Sequence, residues 1–97
     1  MPKLTVRLYA TLRDLVGGRK AIEVEVPDGA TVEDLVQALL EQYPELKPQI
    51  LRQDGSLEPS VHVFLNGRDY HYLPDGIRTV VTTPGLEIDI FPPVGGG

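Results

Sequence analysis

Leu4, Val6 and Leu8 alternate with Thr5, Arg7 and Tyr9, a period of two that predicts a half-buried strand close to the N-terminus. The period breaks from Ala10 to Val16. Gly17-Gly18 then supplies a corner before Ile22, Val24 and Val26 alternate with Glu23 and Glu25, which predicts a second strand and a hairpin with a wide connection. Pro27-Asp28-Gly29 has the chemistry of a turn, because proline presets φ and glycine accepts a positive one. Thr31-Val32-Glu33-Asp34 resembles a capping box with Asp in the position usually held by Glu or Gln. Val32, Leu35, Val36, Leu39, Leu40 and Tyr43 follow at helical spacing and form one apolar stripe, which Pro44 brings to an end. From Glu45 to Ser60 no clear period emerges, and Gln53-Asp54-Gly55-Ser56 looks like a turn, so this stretch is read as irregular.

Beyond it, Val61, Val63 and Leu65 alternate with His62, Phe64 and Asn66, and Asn66-Gly67 is a strong tight-turn dipeptide. A third strand is expected there, with a short fourth between Asp69 and Leu73. Pro74-Asp75-Gly76 and Thr83-Pro84-Gly85 punctuate the next segment. Leu86, Ile88 and Ile90 alternate with Glu87, Asp89 and Phe91 to make a last strand, which Pro92-Pro93 ends because neither residue can donate to a ladder. The predicted order is β-β-α-β-(β)-β, an α+β arrangement in which one amphipathic helix covers one face of a mixed sheet.

Length changes this picture only by limiting it: 97 residues form one core and therefore one domain. Nine basic against fourteen acidic side chains leave a net charge of −5, and the cations are scattered, which argues against a nucleic-acid footprint. With no cysteine in the chain, disulfides, thiolate metal sites and thiol nucleophiles are excluded. No stretch approaches the ~20 apolar residues of a membrane span, and no basic, apolar leader precedes Leu4, so a cytoplasmic location is expected. His62 and His71 stand nine apart with no cysteine near, and are read as ordinary surface histidines with no metal site. Glu23, Glu25, Asp28, Glu33 and Asp34 are read as a solvated acidic face. No catalytic triad or carboxylate pair can be argued from the spacings, so the chain is not expected to be an enzyme by itself, and no cofactor is expected.

The distinctive chemistry lies at the C-terminus, Phe91-Pro92-Pro93-Val94-Gly95-Gly96-Gly97. A glycine tail taken alone reads as a frayed end. Here it follows a strand through two prolines, which stiffen its exit and project it as an extended arm. Glycine lacks Cβ, so such an arm passes a narrow channel and brings its carboxylate close to a nucleotide. The division expected is a domain over residues 1–91 and a flexible tail over residues 92–97.

Three segments, Leu12-Arg13-Asp14-Leu15-Val16-Gly17, Asn66-Gly67-Arg68-Asp69 and above all Phe91-Pro92-Pro93-Val94 with the terminal glycines, make the chain resemble the ubiquitin-like β-grasp sulfur carriers. Within them it is most similar to the small subunit of molybdopterin synthase. The family commonly places another residue before its last two glycines; here that residue is Gly95. The segment from Pro74 to Pro84 is also longer than in shorter members.

The resemblance implies a β-grasp fold and a working group at Gly97. A ubiquitin-activating-type adenylyltransferase would join the Gly97 carboxylate to AMP. A sulfurtransferase or persulfide donor would convert it to a thiocarboxylate, and the arm would deliver sulfur inside the large subunit of molybdopterin synthase. Sulfur carriage for thiamine or tRNA thiolation, conjugation to protein lysines, and a module with an inert tail remain as alternatives. Arg13 resembles a position near the partner interface, with a structural ion pair as the other reading. In a β-grasp sheet the first and last strands are parallel neighbours, so Tyr9 and Phe91 should lie side by side on the open face with Phe64 beside them. Together with Pro92, Pro93 and Val94 they are the expected partner-binding residues, unless the segment from Pro74 to Pro84 folds over them.

Overall fold

The computed structural model describes residues 1–93. In chain order it contains β1 (Lys3–Leu8), α1 (Thr11–Leu15), β2 (Ala21–Glu25), α2 (Val32–Gln42), α3 (Lys47–Ile50), β3 (His62–Leu65), β4 (Arg68–Asp69) and β5 (Ile88–Phe91). Three 3₁₀ turns, Pro44–Leu46, Tyr70–Tyr72 and Gly76–Arg78, complete the list. The strands make one five-stranded sheet in the order β2-β1-β5-β3-β4. β1 and β5 run parallel, with Val6 opposite Ile88 and Leu8 opposite Ile90, and the other pairings are antiparallel. This is the β-grasp, ubiquitin-like fold: a mixed sheet with one main helix laid across one face.

The helix forms where capping and period agree. The Thr31 hydroxyl accepts the Asp34 backbone N–H at 3.3 Å, and the Asp34 carboxylate accepts the Thr31 N–H at 3.0 Å, so two orphan donors are satisfied reciprocally. Val32, Leu35, Val36, Leu39 and Leu40 are all buried against Val6, Leu8, Ile22, Val24, Val63, Ile88 and Ile90 in one core. At about 1.5–3 kcal/mol for each fully buried aliphatic side chain, this layer is the main source of stability.

Two stretches differ from the sequence expectation. The segment from Glu45 to Ser60 is not irregular throughout: α3 places Ile50 in the core, and Leu46 is buried just before it. The fourth strand is only two residues long. Asp69 ends it by turning its carboxylate onto the His71 backbone N–H at 2.9 Å, which caps the 3₁₀ turn Tyr70–Tyr72 instead of extending the ladder. At the β3–β4 corner Asn66 and Gly67 take φ of 50° and 82°, the paired positive values of a type I′ hairpin turn. No helix among the described residues is long and apolar enough to cross a membrane.

Candidate functional site

The helix covers one face of the sheet, so alternation leaves Arg7, His62, Phe64, Asp89 and Phe91 on the other, joined by Tyr9 just past the end of β1. Tyr9 and Phe91 lie face to face, with centroids 4.1 Å apart and planes 9° from parallel, and Phe64 meets Phe91 edge-on at 5.3 Å. All three rings are half-buried. The parallel pairing of β1 with β5 and the antiparallel pairing of β5 with β3 bring the three aromatics together, as alternation anticipates.

The segment from Pro74 to Pro84 packs elsewhere. Val81 donates its N–H to Ala30 at 2.8 Å and Val80 bridges Thr31, which attaches the segment beside the N-terminus of α2. After Phe91, Pro92 is buried and Pro93 half-buried. Val94, Gly95, Gly96 and Gly97 lie outside the described residues.

Asp89 organises the centre of this face. Arg7 opposes it in the parallel register and donates from Nε at 2.6 Å and from an amino group at 2.9 Å, a bidentate fork. The Tyr9 hydroxyl donates to the same carboxylate at 2.6 Å. Burial alone pushes the Asp89 carboxyl up, but the hydrogen bonds of Arg7 and Tyr9 and the charge of Arg7 outweigh it and hold the carboxyl below its ordinary range. The Tyr9 hydroxyl moves the other way, raised mainly by its bond to Asp89. The alternation pattern treats Asp89 as simply outward-facing, yet it is buried beneath its partners. The available signal was an acid on the last strand facing an arginine and a tyrosine on the first.

Among the described residues Arg13 makes no ion pair. Its Nε donates to the Leu8 carbonyl at 3.2 Å and its guanidinium lies 5.5 Å from the Tyr9 ring centroid, so it flanks the aromatic group as a cation.

The histidines also depart from expectation. Nine residues apart in sequence, they converge because the β3–β4 hairpin folds His71 back beside His62. His62 Nδ1 lies 2.6 Å from Asp69 Oδ2, and His71 Nδ1 lies 2.6 Å from Asp69 Oδ1. Asp69 itself is buried. Burial works to raise its carboxyl, while the His71 backbone N–H and the two rings more than compensate and leave it below its usual value.

Comparison with known proteins places the whole chain in one group. The sequence model of the ThiS family matches residues 6–97. Small archaeal modifier protein 3 of Haloferax volcanii is 39% identical over 95 residues, covering 98% of this chain and 99% of that protein. A candidate sulfur carrier protein of Archaeoglobus fulgidus is 37% identical over 67 residues, covering 69% and 74%. Among solved structures, SAMP1 of Haloferax volcanii superposes with a TM-score of 0.80 at 29% identity, over 99% of this chain and all of that one. A candidate molybdopterin converting factor subunit 1 from Pyrococcus furiosus gives 0.69 at 27% identity, over 95% and 98%.

Proposed function

The chain belongs to the ThiS family of ubiquitin-like proteins, whose members are carriers and modifiers rather than catalysts, and from this we propose that it acts through the activated carboxylate of Gly97. The observation that carries the reading is near-full-length similarity to a named modifier protein in a chain that ends in three consecutive glycines behind Pro92-Pro93.

A carboxylate is a poor electrophile. An oxygen of Gly97 attacks the α-phosphorus of ATP, pyrophosphate leaves, and the resulting acyl adenylate carries AMP as a good leaving group. Sulfide displacing AMP leaves a thiocarboxylate; a persulfide gives an acyl disulfide, which a further thiol cleaves to the same product. A lysine amine, directly or through an enzyme thioester, forms an isopeptide bond instead. The adenylyltransferase and the sulfur donor supply the catalytic groups, and this protein supplies the reacting end.

Similarity to a modifier and to a candidate sulfur carrier supports these two uses of the tail ahead of a dedicated place in molybdopterin synthase. The molybdopterin reading, with the synthase large subunit as partner, is favoured by likeness to the candidate converting-factor subunit. Tyr9, Phe64 and Phe91, with Pro92, Pro93 and Val94, form the partner-docking edge in this proposal. The rings are large, clustered and adjacent to the root of the tail, the character of interface anchors. Residues 1–91, with the buried Pro92 seated against them, act as the body that sets how deeply the remainder of the 92–97 tail enters a partner.

Intact-mass measurement after incubation with the adenylyltransferase, ATP and a sulfur donor tests the proposal. Gain of the sulfur-for-oxygen mass difference, mapped to Gly97, supports it, and an unchanged mass where a known carrier is converted overturns it. Isolation from the native source then separates the uses: covalent attachment to lysines marks a modifier, and co-purification with a synthase large subunit marks the molybdopterin carrier.

A further inference from the structure

Two imidazoles and one carboxylate converge at the β3–β4 end of the open face, and none of them takes part in tail chemistry. The ligand atoms of His62, Asp69 and His71 all lie within 4.8 Å of one another. We propose that this trio is a binding site for a divalent ion of the zinc class, with His62 Nδ1, His71 Nδ1 and one Asp69 oxygen as donors.

The donor set fits that chemistry. Two imidazole nitrogens with one carboxylate suit zinc, cobalt or nickel, and fall short of the all-oxygen shells that magnesium and calcium require. Bonds of about 2.0–2.1 Å at tetrahedral angles put donors about 3.4 Å apart. Here each nitrogen stands 2.6 Å from its carboxylate oxygen, so an ion enters if those two hydrogen bonds open and the rings turn slightly toward each other. The rings have the freedom to do so, since their side chains are 38% and 34% exposed while Asp69 is 7% exposed. An ionised carboxylate only accepts, so without metal both Nδ1 atoms carry hydrogen. On binding, each neutral ring holds its hydrogen on Nε2 instead and offers the Nδ1 lone pair.

The surroundings hold the donors near these positions. The His71 N–H fixes Asp69 Oδ1 at 2.9 Å, the Tyr70 ring packs on His71 with centroids 4.1 Å apart and planes tilted by 30°, and the Phe64 ring centroid lies 6.1 Å from that of His62. Hydrogen bonds and packing around metal ligands set their orientation in this manner. Three protein donors leave a coordination position open to solvent, the pattern of sites that take an exogenous ligand rather than of closed structural ones. His62 pairs with Phe91 across the sheet, so that position lies on the face proposed for docking.

The test uses the untagged full-length chain titrated with Zn²⁺ in a non-coordinating buffer, with Co²⁺ as a spectroscopic probe. Expected are saturation at one ion per chain, cobalt absorption bands of low coordination number, and no competition from excess Mg²⁺. H62Q and H71Q, whose thermal unfolding without metal checks their fold, should each weaken binding at least tenfold. Absence of saturable one-to-one binding overturns the proposal and leaves the trio as a hydrogen-bonded anchor. Undiminished binding by the double variant H62Q/H71Q overturns it equally, by locating the ion elsewhere. Neither result bears on the Gly97 carboxylate, whose test is the mass change.

Discussion

Asp89 is the residue at which charge, aromatic packing and strand register meet. Its carboxyl is held below the ordinary range in the folded state, so it contributes stability that is complete above the unfolded carboxylate pKa of about 3.9 and is lost as pH falls through the lower folded value. Asp89→Asn should flatten that acid limb and cost about 1–3 kcal/mol at neutral pH, since Arg7 and Tyr9 lose an ionic acceptor. Denaturant unfolding of both proteins across the acid range measures both effects. Phe91→Ala should weaken binding to the adenylyltransferase by about 2 kcal/mol or more if Phe91 is an anchor, with a smaller change in folding. Titration alongside thermal unfolding separates these, and unchanged affinity with a large stability loss would show that Phe91 serves the body alone. The aromatic trio was legible because alternation fixes which face a strand residue takes. Asp89 as a buried hub was not, because alternation gives the face a residue takes but not what covers it there, and the His62–Asp69–His71 convergence was not, because it needs Asp69 to leave the ladder and cap the turn that carries His71.

Among the elements, α2 could be read almost residue by residue, since its cap, its period and Pro44 agree. α3 escaped because one turn is too short to show a period; Leu46 and Ile50, four apart and both buried, were its only trace. The link from β1 into α1 holds the clearest local strain. Ala10 adopts φ 54° and ψ −128°, a conformation costly for any residue with a Cβ. Ala10→Gly should therefore stabilise the protein by about 1 kcal/mol, because relief of strain exceeds the added flexibility of the unfolded chain. Thr31→Ala should destabilise it by about 1 kcal/mol through loss of the cap. Chemical unfolding of the two variants gives opposite signs if both assignments hold, and a destabilised Ala10→Gly would show that the strain argument fails.

Across the whole molecule, the groups that hold the fold lie apart from the Gly97 end proposed to react. Deleting Gly97, or extending the chain by one residue that resists trimming, should abolish adenylation and leave the unfolding transition unchanged, because the described core runs from Val6 to Ile90 and Gly97 is a terminal residue beyond it. Loss of labelling from α-³²P-ATP with an intact melting curve is the expected outcome. Labelling of the extended chain would show that another group is activated.

The position of β5 carries a consequence for how the protein is made. This strand, the last among the described residues, lies between β1 and β3, so no nascent fragment lacking residues 88–91 can close the sheet. Until they leave the ribosome, β1 and β3 have unpaired edges facing the gap, and the earlier strands can only wait for it to be filled. Closure of the sheet is thereby tied to synthesis of β5. A chain aborted before β5 would lack Phe91 and with it both of the aromatic contacts that join Tyr9 and Phe64 to that strand.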